Sequence, residues 1–462
     1  MSLVSTNTIA ALTTAPAPAG IAVIRVSGPD TKLAFRTLFR SKKDPVVNPR
    51  NVILGDIIDF KTGAVIDRAL AVYMPGPRSF TGEDVGEFQF HGSPLLVQKI
   101  LRSLYASGID PAEPGEFTKR AFINGKMDLV QAEAIADLIN ASSEQALKLA
   151  GEQLKGRLSS VISELGDPLR DVLAELEASI DFSDEDIEPE GLQTLMSKLE
   201  GSLQKIEYLL DSYAYGHLVK EGFRVLLYGK PNAGKSSILN LLLGRNRAIV
   251  TDIAGTTRDL IEEEAMLGDY KFIFCDTAGI TETEDKVEKI GVSLSKERIE
   301  WADLVLLIAD GTDSSDSWKE LVIDLKEKAK RLWMVTNKID LNPSAIGTFY
   351  CDLQTCQQNF YLSAKTKDGF DALVEALRDE VSNAVINSGE TSGIITNERH
   401  RVCLERCREN LDRAIRGDKS NYPIEIISTD VKQALDALDE LVGKTTPDDI
   451  LGRIFSKFCI GK

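Results

Sequence analysis

Residues 222–244 read GFRVLLYGKPNAGKSSILNLLLG, an apolar run, then a glycine- and lysine-bearing loop, then a run with helical spacing. FRVLLYG predicts a buried strand and SSILNLLLG the opening of a helix. Between them, Gly229 to Ser236 fit the pattern GxxxxGK[ST]. Backbone amides of such a loop cradle phosphates, and the helix N-terminus adds a favourable dipole. Lys235 is expected to reach the β- and γ-phosphates, and Ser236 to ligate Mg²⁺. Strand, phosphate loop and helix in that order predict a parallel α/β unit.

Further elements of a nucleotide site follow in order along the chain. KFIFCDTAG (271–279) is a strand ending in Asp276, Thr277, Ala278 and Gly279. Asp276 is suited to hold the magnesium through water, and the Gly279 amide to sense the γ-phosphate. Asn337, Lys338, Ile339 and Asp340 follow the apolar strand RLWMVT. The Asp340 carboxylate can accept hydrogen bonds from guanine N1–H and the exocyclic amine. Adenine lacks that donor pair, and a site built to pair a donor rejects analogues by roughly 10⁴ or more. Ser363, Ala364 and Lys365 are expected to close the base pocket with a backbone amide on the guanine oxygen. NKID alone could be a surface turn, but four elements in this order read as a GTPase.

Two departures from small GTPases matter. The glutamine that orients the attacking water after DTAG is replaced by Ile280, which cannot hydrogen-bond. The phosphate loop also lacks an arginine, and an arginine finger supplies on the order of 10³–10⁵ in rate. Another cation is therefore expected. The Asn232 side-chain oxygen could face it, and Thr251-Asp-Ile253-Ala-Gly-Thr256-Thr257 could add main-chain carbonyls around the same ion.

Outside this unit the pattern changes. GIAVIRVSG (20–28), VIDRALAVYMP (65–75) and VGEFQFHG (85–92) read as strands, and SPLLVQKILRSLYASG (93–108) as a helix. Ser93 is its expected N-cap, with Pro94 at the first helical position and Gly108 ending it. Residues 1–118 are thus expected to form an α+β domain. Residues 119–218 are helical by periodicity, 219–380 carry the strand–loop–helix units, and 381–462 return to helical spacing. That order suggests a helical domain split by an inserted α/β domain, as neighbouring domain termini permit. DFSDEDIEPE (181–190) holds six acids and no base, and reads as a solvated loop or an acidic docking surface.

With 462 residues, two to four domains are expected. Lys and Arg total 54 against 71 Asp and Glu, a net charge of −17 that argues against a surface coating nucleic acid nonspecifically. A local basic patch stays open. No membrane-spanning run and no basic n-region are visible, so a cytoplasmic protein is expected. The six cysteines form no CxxC pair, and reduced thiols are the simplest expectation. Cys403 and Cys407, four apart on a helix, could be half of a metal site but lack a second pair.

GKPNAGKSS, TDIAGTTRD and DTAG resemble the potassium-activated GTPases. With SFTGED (79–84), PGEFTKRAF (114–122), DLVQAEAIADLI (128–139) and the terminal FCIGK, nearly the whole chain resembles the tRNA modification GTPase MnmE (TrmE) family. The resemblance implies an N-terminal α+β folate-binding domain that dimerises, a helical domain, and an inserted Ras-like P-loop GTPase domain. It further implies a homodimer acting with the FAD-binding partner MnmG (GidA), as a heterotetramer, on C5 of the wobble uridine of certain tRNAs. A tetrahydrofolate derivative is the implied one-carbon source.

By motif, the resemblance assigns K⁺ to Asn232, Thr251, Ile253 and Thr256, and Mg²⁺ to Ser236 and Thr257. GTP contacts would come from Asn232, Ala233, Gly234, Lys235, Ser236 and Ser237, from Thr251, Asp252, Ile253, Ala254, Gly255, Thr256 and Thr257, and from the DTAG, NKID and SAK residues named above. Glu288 matches the family's water-orienting glutamate, although Glu282, Glu284 and Asp285 lie close by. Arg25, Glu83, Lys126 and Lys462 map to the folate pocket, and Cys459 is a candidate for the modification chemistry. Arg25 and Glu83 could instead be ordinary surface ion pairs. An RNA-binding ribosome-assembly GTPase is the alternative function, though neither flank looks like a basic RNA-binding module.

Overall fold

The computed structural model describes residues 7–181, 191–245, 262–276, 297–313, 318–347, 351, 355–386, 393–420 and 422–462. The chain divides into two compact units. One gathers Met1–Ala136, Gln153–Glu200 and Glu409–Lys462, the other Asp137–Glu152 and Gly201–Arg408.

In the second unit, six strands lie in the order Gln358–Tyr361, Leu332–Asn337, Leu304–Asp310, Phe223–Tyr228, Tyr270–Asp276 and Glu262–Leu267. All neighbours pair in parallel except the last two, which are antiparallel. LVLLIAD and LWMVTN are apolar almost throughout and nearly every residue is buried, as expected of parallel strands covered on both faces. The register sets Asp310 opposite Asn337 and Asp276 opposite Leu227. Both acids and the asparagine therefore reach the carboxyl ends of the strands, where open α/β sheets bind ligands.

The first unit carries a seven-stranded sheet, ordered Phe39–Arg40, Ile53–Ile58, Val65–Met74, Val85–Gly92, Ala19–Ser27, Ile9–Leu12 and Asp110–Pro111. Only the pairing of Ile9–Leu12 with Asp110–Pro111 is parallel. Alternation decides its faces: Ala22, Ile24 and Val26 point into the core with Phe88 and Phe35, while Arg25 points outward. Helix Pro94–Ala106 starts at the proline, and Gly108 (φ +95°) turns the chain away at its end. Ser93 occupies the N-cap, but its side chain makes no capping bond. Helices Arg157–Asp181 and Ile424–Val442 pack together, with Arg170 Nη2 donating to Asp439 at 3.0 Å. Among the described residues, no helix is long and apolar enough to cross a membrane.

Helix Leu192–Glu221 leads into the central strand, and residues 393–397 return the chain to helix Glu398–Lys419. These two passages touch. Ile395 N donates to Ser212 Oγ at 3.3 Å, Lys220 bonds Asn397, and Lys220 pairs with Asp137 at 2.7 Å. Tyr213 donates to Glu398 at 2.7 Å. Burial, helped by that carboxylate, pushes the Tyr213 phenol up to about 12, and the Arg401 guanidinium holds Glu398 down at about 2.

The cysteines depart from the expectation of free thiols. Cys351 and Cys356 form a disulfide, their Cα atoms 5.8 Å apart and so within bridging range. The Asn359 side chain fixes the first partner, accepting from Cys351 N at 3.1 Å and donating to Cys351 O at 2.8 Å. Spacing alone carried no signal for this pair. Cys403 and Cys407 are buried within helix Glu398–Lys419, where burial pushes the Cys407 thiol up to about 12, and among the described residues no group of three or more His, Cys, Asp or Glu could hold a metal ion.

A Cβ on Gly216 would stand 2.1 Å from Ile395 O, whereas one on Gly201 of the same helix meets nothing within 4 Å. Alanine normally favours a helix interior over glycine by about 1 kcal/mol. Gly201→Ala should therefore raise the melting temperature. Gly216→Ala should lower it, by an overpacking cost of about 1–3 kcal/mol, in thermal melts followed by circular dichroism.

Candidate active site

The phosphate loop is built by backbone geometry. Asn232 adopts φ +62° and Gly234 φ +96°, and a Cβ on Gly234 would meet Asn337 Nδ2 at 2.1 Å. Only glycine fits there. Lys235, buried, donates from Nζ to Gly229 O and Lys230 O, both at 2.9 Å. Burial pulls its ammonium below the usual lysine range, and Asp276 opposes that shift. Ser236 Oγ donates to Asp276 Oδ2 at 2.8 Å. Two hard oxygen donors thus meet at the strand end, the chemistry that Mg²⁺ selects. Ala233 is buried beneath the loop, while Ser237 is exposed.

Asn337 links the loops. Its Nδ2 donates to Ala233 O at 3.0 Å, and its Oδ1 accepts from Lys338 N at 2.8 Å and Ala364 N at 3.0 Å. It is 2% exposed, so a substitution would leave buried polar groups unpaired. The Ala364 amide is engaged here on the protein's own side chain. Ser363 Oγ donates to Asp340 Oδ1 at 2.6 Å, which orients the carboxylate and leaves its second oxygen available. Lys365 is exposed at the rim. Thr251 to Thr257, Thr277, Ala278, Gly279, Ile280 and Glu288 lie outside the described residues.

Asp310 escaped the sequence reading. Its Oδ2 accepts from Lys338 Nζ at 2.5 Å, and its Oδ1 from Thr312 N at 2.9 Å and Thr312 Oγ1 at 2.7 Å. Burial alone would raise this carboxyl, but the bonds from Lys338 and Thr312 outweigh it and hold it below the usual carboxylate range. An acid at a strand end followed by Gly-Thr was the available signal.

A second group of polar residues lies in the first unit. Arg25 faces Glu87 across the sheet and pairs with it at 3.0 Å, its guanidinium 5.1 Å from the Phe80 ring centre and 5.7 Å from that of Phe117. Glu83 accepts from Ser27 Oγ at 2.7 Å and from Arg120 Nη1 at 3.2 Å. Lys126 Nζ donates to Pro77 O at 2.9 Å, at the far end of the loop carrying Glu83. The tail docks here too. Phe117 N donates to Lys462 O at 3.1 Å, Gly115 N to Cys459 O at 3.5 Å, and Pro114 bridges to Ile460. The Cys459 thiol is exposed. A cavity of about 170 Å³ opens beside Glu83, with Pro114, Ile123 and Phe455 on an apolar side and Glu113, Glu116, Lys119 and Arg120 on a charged one. The structure thus gathers Arg25, Glu83 and Lys462 around helix Glu116–Ile123, which carries Phe117 and Arg120.

Comparison with known proteins agrees with both halves. Residues 8–126 match the family model described as the GTP-binding protein TrmE N-terminus, and residues 129–459 the MnmE helical domain. The tRNA modification GTPase MnmE of Natranaerobius thermophilus is 41% identical over 458 residues, covering 99% of each chain. Those of Geobacter sulfurreducens and Moorella thermoacetica are each 41% identical, again with 99% of each chain covered. The chain belongs to the MnmE family. It is therefore a GTPase of tRNA modification, and the loops tied by Asn337 are its candidate nucleotide site.

Removing the Asp310 charge should free the Lys338 ammonium from the base side of the site. Asp310→Asn should raise the KM for GTP about tenfold, as for loss of one charged hydrogen bond, with kcat nearly unchanged. Steady-state hydrolysis over a range of GTP concentrations reads both.

Proposed function

We propose that the chain is a K⁺-activated GTP hydrolase that works as a homodimer with the FAD-dependent partner MnmG (GidA). Together they install a carboxymethylaminomethyl or aminomethyl group on C5 of the wobble uridine of certain tRNAs, in the cytoplasm. The observation carrying this reading is the docking of the tail Cys459–Lys462 beside Glu83 and Arg25. A simple GTP switch has no use for a second polar site containing an exposed thiol.

Tetrahydrofolate would supply the one-carbon unit. Arg25, Glu83, Lys126 and Lys462 would hold it, and of these Glu83 lines a cavity with mixed apolar and charged walls. Cys459 would take part in the modification step. The four-part division at residues 118, 218 and 380 fits this assignment of roles.

In the GTPase, Lys235 would bind the phosphates and Asp340 read the guanine donors. Ser236 with Thr257 would hold Mg²⁺, which neutralises phosphate charge when bound. Asn232, Thr251, Ile253 and Thr256 would hold K⁺ in place of an arginine finger. Glu288 would orient the water, since Ile280 cannot.

Hydrolysis should be fast in KCl and slow in NaCl of equal ionic strength, and Asn232→Ala should erase the difference. Equal rates in the two salts for the wild type would refute the cation site. Deleting Cys459–Lys462 should abolish tRNA modification, measured by nucleoside mass spectrometry, while K⁺-stimulated hydrolysis continues. Loss of GTPase activity alone would refute the separation of roles. Glu288→Ala should bind GTP normally but turn over roughly 10²–10⁴ more slowly, the effect of a lost positioning group. Single-turnover kinetics in KCl, with Glu282→Ala and Glu284→Ala as controls, would measure it.

A further inference from the structure

We infer that Arg120 is the positioning residue of the one-carbon site, holding the Glu83 carboxylate in a fixed orientation beneath the docked tail. The inference rests on the reading of Glu83 as a folate-binding residue. Arg120 is 4% exposed on helix Glu116–Ile123. Its guanidinium is engaged on three sides. Nη1 donates to Glu83 Oε2 at 3.2 Å, Glu83 Oε1 at 3.3 Å and Asn7 O at 2.9 Å. Nη2 donates to Glu116 Oε1 at 2.7 Å and Asn7 Oδ1 at 3.1 Å, and Nε reaches Glu116 Oε1 at 3.3 Å.

A guanidinium keeps its charge at any working pH and presents its donors in a rigid plane. Both Glu83 oxygens share the single donor Nη1, whose position the bonds of Nη2 and Nε to Glu116 fix, while Ser27 Oγ, itself bonded to Thr81 Oγ1 at 2.7 Å, bonds Glu83 Oε2 from the sheet. Glu116 locks the opposite edge of the fork, and its other oxygen accepts from Glu113 N at 2.8 Å. The charged chain Glu83–Arg120–Glu116 thus runs along the cavity wall. It ends at the helix start, where Gly115 and Phe117 hold the carbonyls of Cys459 and Lys462.

The consequence for binding is chemical. A pterin presents a ring N–H beside an exocyclic amine, the same donor pair that guanine offers. An ionised carboxylate accepts that pair at lower cost when its plane is fixed before the ligand arrives, because a freely rotating acid must be ordered on binding. Arg120 supplies that order through Glu83, from the charged wall of the cavity. Lysine would keep the charge but lose the fork.

The test is a double-mutant cycle on the full chain, with tetrahydrofolate kept under argon as the probe and calorimetry as the readout. Arg120→Lys should bind tetrahydrofolate about tenfold more weakly than wild type, at a melting temperature near the wild-type value. Glu83→Gln combined with Arg120→Lys should bind no worse than Glu83→Gln alone, because Arg120 acts through that carboxylate. A purely structural role would lower the melting temperature and add to the Glu83→Gln loss. Should Arg120→Lys not fold, Glu116→Gln loosens the fork from its other edge and should weaken binding about threefold. Wild-type affinity in both Arg120→Lys and Glu116→Gln, or additive losses in the cycle, overturns the inference. A wild-type chain that fails to bind tetrahydrofolate is recognised before any variant is made, and removes the reading of Glu83 together with the inference built on it.

Discussion

One buried amide organises the candidate nucleotide site. Asn337 spends its donor on the phosphate loop and its acceptor on both its own loop and the loop of Ser363 and Ala364. Three segments far apart in the chain are thereby held at one geometry. The neighbouring elements follow from it. Gly234 must lack a side chain because the amide nitrogen occupies that space. Lys338 leaves the same strand end in the left-handed region and turns its ammonium toward Asp310. A buried polar group of this kind specifies a unique arrangement because any other leaves it unpaired in a low-dielectric interior.

The first unit uses the same physics with charges instead of an amide. Arg120 plays among carboxylates the part that Asn337 plays among loops, and both are almost inaccessible to solvent. Burying an arginine is tolerable only when its donors are satisfied, and here two carboxylates and a backbone carbonyl satisfy them. The tail completes this site through main-chain bonds. Side-chain identity at Ile460 thus matters less to docking than the glycine after it. Gly461 sits at φ +92° with Leu12 O only 2.0 Å from where a Cβ would be.

How much was legible follows from the range of each interaction. Local signals read well: alternation in GIAVIRVSG, the proline and glycine bounding the helix after His91, and the glycine–lysine spacing of the phosphate loop all act over a few residues. Asp340 and Asp276 were readable because each sits in a short motif with one chemical use. Arg120 was not, although it lies in the motif PGEFTKRAF, because its partner Glu83 lies 37 positions away and periodicity is silent about which polar residue turns inward. Asp310 was hidden for the same reason, being 28 positions from Lys338. The Cys351–Cys356 bridge had no motif to announce it. The bonds of its scaffold, Asn359, come from strand Gln358–Tyr361 and not from the spacing.

The close approach of Gly216 to Ile395 bears on how such a chain could have arisen. The backbone leaves helix Leu192–Glu221 and comes back at one spot, tied by Ser212, Lys220 and Tyr213. From the standpoint of the surrounding helices, the intervening polypeptide spans almost no distance. A gene segment encoding a complete nucleotide-binding fold could be acquired at such a point in a single recombination event.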